Sequence, residues 1–325
     1  MRVYNIQNDK IVDSGVNVEK LGWAYDPNKE RQLDFRGDVA LPWTRVCHSI
    51  GDWSIVSALP RLLKEKYKNI GGTKGNDIEI YLPSPEWIRQ SMGDYYKRWN
   101  FGNYDAADNV NMIFANNPYI DGFFNAGEFD SIICDHHRCY RYENEPLVEK
   151  IIRSLGFSED EIYNANTQPE LYFSEAEKEI GDAIIKKYVG DNKFGALVLA
   201  SRVVTYNKEW PIENDRHLLE DILVYKDLPV FYFSTFDIKD TRWYDIFPNY
   251  INFQDIPQAT LRIQLYIKSR ATFNSGYQAG VQDAVGRGLN RDTKNLLASP
   301  YVTMTDNVVR GSTYYFKDGS KTIYR

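Results

Sequence analysis

Two short runs in the second half of the chain, GALVLAS from Gly195 and LPVFYFS from Leu228, are apolar at nearly every position rather than at every second one, and ATFNS from Ala271 is a third strand candidate. A strand with one wet face alternates apolar and polar residues. A run that is apolar at both parities is buried on both faces, which is the environment of a parallel sheet covered by helices on each side. Helical stretches at residues 217–225 and 261–267 separate the runs, as crossover connections between parallel strands require. The second half is therefore α/β.

The first half shows the same alternation. LPWTRVCHS runs into Ile50-Gly51-Asp52, after which Ile55, Leu59, Leu62, Leu63 and Ile70 fall near one face of a single predicted helix. A glycine-rich loop, GGTKGN, leads to the strand pattern DIEIYLPS, and SPEWIRQSM then begins a capped helix. FDSIICD is a further strand. A helix follows from Pro146, with Leu147, Val148, Ile151, Ile152 and Leu155 as its stripe and Gly156 at its exit. The polar, proline-broken stretch SEDEIYNANTQPEL divides the two halves. Ser174 and Glu177 then have capping-box spacing and open a helix through Ile180, Ile184 and Ile185.

These patterns place domain limits at residues 1–40 for an N-terminal extension, 41–170 for the first domain and 171–325 for the second. Residues 1–40 read as short extended pieces around Asn8-Asp9, and no chemistry is assigned to them. The closing TYYFKDGSKTIYR carries an Asp-Gly turn between alternating residues and predicts a hairpin. As both ends read as extended, they are expected to pair with each other.

A length of 325 residues suits two domains. The net charge of -6 offers no basic field for a polyanion, so nucleic acid is not expected as a partner. No stretch approaches the roughly 20 apolar residues of a bilayer span, and MRVYNIQNDK lacks the apolar core of a signal peptide. With only three cysteines, Cys47, Cys134 and Cys139, a cytoplasmic location is expected.

Ligands of α/β folds sit outside the carboxyl ends of the strands, so functional residues are sought there. Asp52 follows a strand and stands at the mouth of a helix. A carboxylate there suits a helix cap and equally a fixed general base. Arg202, in the polar loop SRVVTYN, and Lys208, in KEWP, follow GALVLAS, where a guanidinium fork and an ammonium point charge could hold a diphosphate. Asn274-Ser275-Gly276 follows ATF and is read as a turn opening a helix, a natural place for an anion.

Two other motifs are set aside. Asp135-His136-His137 lacks the further aspartates of a phosphoesterase metal site, and with Cys134 and Cys139 it does not make four zinc ligands at ordinary spacing. GGTKG lacks the Gly-Lys-Ser/Thr of a phosphate-binding loop.

SIGDWSIVSALPRLLKEKY resembles the opening motif of glycosyltransferase family 9, the lipopolysaccharide heptosyltransferases: a strand, Gly-Asp, then a helix containing Ala-Leu-Pro. PELYFSEAEKEI with GALVLAS and KEWP resembles the family's entry to its second domain and its Lys-x-Trp-Pro signature. ATFNSG resembles its Asp-Ser/Thr-Gly turn. The likeness keeps its order over about residues 41–290.

The resemblance implies a GT-B fold, two Rossmann-like domains facing a central cleft, here with extended terminal additions. It implies inverting, metal-independent transfer of a hexosyl or heptosyl unit, with a nucleotide-sugar as substrate and no cofactor. The acceptor is a glycan or glycolipid, which would bring the protein to a membrane periphery. Asp52 then occupies the catalytic-base position, Lys208 that of a donor-phosphate contact, and Asn274, Ser275 and Gly276 that of the donor-binding turn. The family usually has Asp where Asn274 stands and His where Ala279 stands. A non-catalytic relative that binds glycans or serves in assembly is therefore the alternative reading. Asp52 is expected to face Lys208 and Asn274 across the cleft, hinged near residue 170.

Overall fold

The computed structural model describes residues 2–5, 10–13, 40–45, 48–68, 78–92, 96–100, 105–128, 131–135, 146–155, 157–198, 200–202, 207–209, 216–233, 242–258, 260–277, 293–298, 311–316 and 320–323. The chain forms two compact units, Met1–Thr167 with Thr305–Asn307, and Gln168–Met304 with Val308–Arg325.

In the first unit the described elements are β1 (Arg2–Asn5), β2 (Lys10–Asp13), β3 (Ala40–Arg45), α1 (Ile50–Ile55), α2 (Leu59–Lys66), β4 (Glu79–Pro83), α3 (Pro85–Ser91), α4 (Asn109–Phe114), β5 (Gly122–Phe124), β6 (Ser131–Asp135), α5 (Leu147–Ser154) and α6 (Glu159–Asn164). The sheet order is β2-β1-β6-β3-β4-β5, parallel except for β2 at the edge. Counted from β3, strands β3, β4 and β5 step one way, and β6 then returns to the other flank of β3. That reversal is a topological switch point.

The opening residues are part of this sheet rather than a separate extension. β1 lies parallel to β6, with Val3 opposite Ile132, and β2 folds back on it. The expected pairing of the two chain ends does not occur, because the N-terminal strands complete the first unit's sheet and the C-terminal strands belong to the second.

Two helix assignments also change. The single helix predicted beyond Asp52 is broken into α1 and α2. Pro60 explains the break: inside a continuous helix its ring would meet the carbonyl of residue 56, so it sits instead in the first turn of α2. The supposed polar linker holds α6, whose capping box joins Ser158 and Glu161. It buries little beyond Ile162, and its ion pairs, Lys66 with Glu161 and Arg153 with Glu159, tie it to the preceding helices.

The second unit contains α7 (Glu175–Tyr188), β7 (Gly195–Val198), β8 (Ala200–Arg202), β9 (Asn207–Glu209), α8 (Arg216–Leu223), β10 (Val230–Tyr232), α9 (Arg242–Ile246), β11 (Tyr250–Asn252), α10 (Leu261–Arg270), β12 (Phe273–Tyr277), β13 (Lys294–Ala298), β14 (Thr313–Tyr315) and β15 (Lys321–Ile323). Ser174 and Glu177 form the expected capping box at α7. The main sheet runs β11-β10-β7-β12-β13-β14-β15. Numbered from β7, its six parallel strands follow the order 3-2-1-4-5-6 of a doubly wound dinucleotide-type sheet. β15 adds the antiparallel arm of the predicted C-terminal hairpin.

The unbroken apolar runs are explained by burial on both faces. Leu197, Tyr232 and Phe273 join Trp243 and Leu218 in one cluster, while Ala196, Val198 and Phe231 join Ile263 and Ile267 in another. Consecutive residues of one strand thus enter opposite layers.

Backbone approaches closely at Gly276, whose φ is 139°. A Cβ built there lies 1.9 Å from the carbonyl oxygen of Val198 on the neighbouring strand. Neither the backbone angle nor the space admits a side chain. Gly276→Ala is expected to destabilise the second unit by about 3 kcal/mol or more, read by urea denaturation. A loss below about 1 kcal/mol would mean that β7 and β12 separate readily at this end.

Candidate functional site

In the first unit, β3 ends at Arg45 beside the last residue of β6, since Arg45 is the register partner of Asp135. Asp52 lies beyond that strand end, but not at a turn before a helix. Ser49 is the N-cap of α1, and Asp52 is the third residue of its first turn. The Ser49 hydroxyl accepts from the Asp52 amide and donates to Asp52 Oδ2 at 2.6 Å. One short side chain therefore caps the helix and fixes the carboxylate.

Around this pair the protein buries polar groups. Arg45 and His48 are both 0% exposed. The His48 ring packs against Trp53 with centroids 5.7 Å apart, and Trp53 makes edge contacts with Trp43 and Phe114. Burial pushes the His48 pKa down to about 3; the nearby Arg45 charge adds to this and the Asp52 charge opposes it. His48 is thus a neutral imidazole at physiological pH. Its carbonyl accepts a 2.7 Å hydrogen bond from Asn109 Nδ2.

Arg45, His48 and Asn109 were not singled out from sequence. The first two stand in plain sight in LPWTRVCHS, as polar residues between an apolar strand and a helix. Nothing in the sequence signals Asn109.

In the second unit the switch point lies between β7 and β12, where β7 leads to β10 on one flank and β12 returns on the other. The stretch read as a polar loop after GALVLAS is an antiparallel ribbon, β8 with β9. Arg202 is the register partner of Asn207, and Lys208 that of Ser201. β8 lies against β12. The ribbon begins two residues after the end of β7, so Arg202 and Lys208 follow the carboxyl end of that strand.

Asn274-Ser275-Gly276 is not a turn opening a helix. All three residues lie inside β12, paired with β7 on one side and β13 on the other. Asn274 and Ser275 are fully buried, and Asn274 Nδ2 approaches the Lys268 carbonyl at 3.4 Å. The strand extends through these polar residues because both flanking ladders continue past Phe273. Gly276 and Tyr277 are the residues that reach the carboxyl end.

Ala279, the glycine-rich loop at residues 71–76, Cys47, His136, His137 and Cys139 lie outside the described residues. Among the described residues, no three His, Cys, Asp or Glu gather as metal ligands. No described helix is long and apolar enough to cross a membrane.

No family model matches the chain, and no curated protein matches it. Among solved structures it is similar to the glycosyl transferase family 9 protein of Veillonella parvula. The TM-score is 0.54 at 9% identity, covering 88% of this chain and 89% of that one. A second similar structure is the E. coli ADP-heptose LPS heptosyltransferase II, with a TM-score of 0.48 at 13% identity over 84% of this chain and 90% of that one. The likeness to the Veillonella structure is one of fold, a mixed α/β chain with parallel sheets as in GT-B-like glycosyltransferases.

The neutral state of His48 has a consequence for stability. An unfolded histidine takes up a proton below about pH 6.5, whereas His48 in the folded protein does so only near about 3. The unfolded state binds more protons across that window, so stability is full above it and falls as the pH is lowered, by about 1.4 kcal/mol per unit. Between about pH 7.5 and about pH 5, His48→Gln should lose about 2 kcal/mol less than the wild type in urea denaturation. Equal losses would show that the ring is protonated within the folded state.

Proposed function

We propose that the chain is a glycosyltransferase that moves a sugar from a nucleoside diphosphate donor to a hydroxyl of a glycan or glycolipid by inverting, metal-independent displacement. The observation that carries this reading is positional. Each unit has a parallel sheet with a switch point, and the sequence-derived residues fall at the carboxyl ends beside those points: Asp52 beyond β3, and Arg202, Lys208 and Gly276 beside β7 and β12. Ligands of open α/β sheets bind at such places.

In the proposed reaction the acceptor oxygen attacks the anomeric carbon as the bond to the diphosphate oxygen breaks, with inversion. Asp52 takes the proton from the acceptor hydroxyl. Its first-turn backbone and the 2.6 Å bond from Ser49 hold the carboxylate in one place, as a general base requires. Lys208 and Arg202 stabilise the departing nucleoside diphosphate, and Gly276 lets the strand ends lie close beneath it. A positioned base supplies on the order of 10²–10⁴-fold, and charge stabilisation is at least comparable.

The buried setting of Asn274 bears on the alternative, a non-catalytic relative. A carboxylate at this fully buried strand position would be costly without a partner, whereas an amide is neutral. The departure from Asp therefore does not by itself argue for lost activity. Asn274 and Ser275 act in this reading by holding β12 in place.

Asp52→Asn separates the two readings. Ser49 remains as cap, so the melting temperature should change little, while turnover should fall by about 10²-fold or more. Donor affinity, measured by calorimetry, should be nearly unchanged. Unaltered turnover in the folded variant would remove Asp52 from the mechanism.

Lys208→Ala addresses the donor site. It should weaken binding of a nucleoside diphosphate by about tenfold or more while leaving that of the bare nucleoside nearly unchanged, because only the former presents charge to an ammonium. Equal weakening of both in calorimetry would assign Lys208 to the fold.

A further inference from the structure

Asp52 is bracketed by two residues, each anchored to the same helix, α4. On one side, Ser49 holds the carboxylate, and the residue before it, His48, offers its carbonyl to Asn109 Nδ2 at 2.7 Å. On the other side, Trp53 meets Phe114 edge-on at 5.9 Å. Asn109 and Phe114 are the first and last residues of α4. The hydrogen bond joins positions 61 residues apart, and its two residues, Asn109 and His48, are almost wholly buried.

We propose that Asn109 is a positioning residue that acts through the His48 carbonyl to hold Ser49, and thereby Asp52, where it can accept the acceptor proton. The proposal rests on the transferase reading for what Asp52 does, but the anchoring itself is a property of the fold. Three links carry it. The amide of Asn109 fixes a carbonyl one residue before the cap. The cap hydroxyl bonds both the amide and a carboxylate oxygen of Asp52. The Trp53 amide donates to the Ser49 carbonyl at 3.2 Å, closing the first turn.

Because the anchor is buried, water does not readily replace it when it is lost. The strand end can then shift relative to α4, and a reacting carboxylate misplaced by about 1 Å loses on the order of 10²-fold in rate. Substrate binding need not suffer.

The test uses the full chain, with Asn109→Ala and the milder Asn109→Ser, each checked for cooperative unfolding. Amide hydrogen exchange at Asp52 and Trp53 should quicken by about tenfold relative to the amides of β4. Turnover should fall by about tenfold or more with donor affinity within about twofold, and the same substitution in an Asp52→Asn background should cost little further turnover. A merely structural role would quicken exchange evenly across the unit and would lower turnover by the same factor in both backgrounds. Either result overturns the proposal. If exchange responds locally while no donor supports turnover, the anchor stands and the transferase reading fails.

Discussion

A central parallel strand has no free edge and no wet face. Its backbone groups pair to both sides, its side chains enter two different layers, and the chain can reach the next parallel strand only by a crossover over one face. β7 shows each consequence. It pairs with β10 on one flank and β12 on the other, sends Leu197 into one core and Ala196 and Val198 into the other, and hands the chain on through further elements to β10. Because the connection after β11 returns to the opposite flank, the crossovers diverge at the carboxyl ends of β7 and β12. In open α/β sheets such a divergence is where ligands bind, a place set by strand order rather than by any one residue. The same reasoning applies to β3 and β6 in the first unit.

How far the sequence discloses this arrangement depends on how local the cause is. The runs at β7 and β10 were legible because double-sided burial writes itself into every residue of a strand. Ser174 with Glu177 was legible because a capping box is a three-residue interaction. Ser158 with Glu161 carries the same signal in a stretch whose polarity and proline favoured a linker, and the local rule was the better guide there. By contrast, the extent of β12 is set by its neighbours. Asn274 and Ser275 have the composition of a turn, and they are strand because β7 and β13 supply hydrogen-bond partners on both sides. β1 likewise reads as a strand, but its place beside β6 depends on residues about 130 positions away.

The candidate residues divide in the same way. Asp52 could be found from its position after a strand, although its cap, Ser49, and its place within the first helical turn came only from the structure. Arg202 and Lys208 were found as cations after a strand, while the ribbon that brings their backbones together depends on the pairing of β8 with β9. The supporting residues of the first unit were the least legible. Arg45 and His48 look like polar residues of a connection, and only tertiary packing makes them fully buried. Asn109 has meaning only through a carbonyl supplied from elsewhere in the chain.

The two strand ends are consequently secured by different physical means. In the second unit, backbone meets backbone: Gly276 fits because it has no side chain, and the constraint is steric and independent of pH. In the first unit, the entry to α1 is held by polar groups in a dry setting, with His48 kept neutral by burial, its carbonyl satisfied by Asn109, and the carboxylate of Asp52 bonded by Ser49. Such groups destabilise a fold when they lack partners and specify one geometry when they have them. Polar burial accompanies both strand ends, with Asn274 and Ser275 beside Gly276 and Arg45, His48 and Asn109 near Asp52, and at Asp52 it includes a directional bond to a carboxylate, from Ser49.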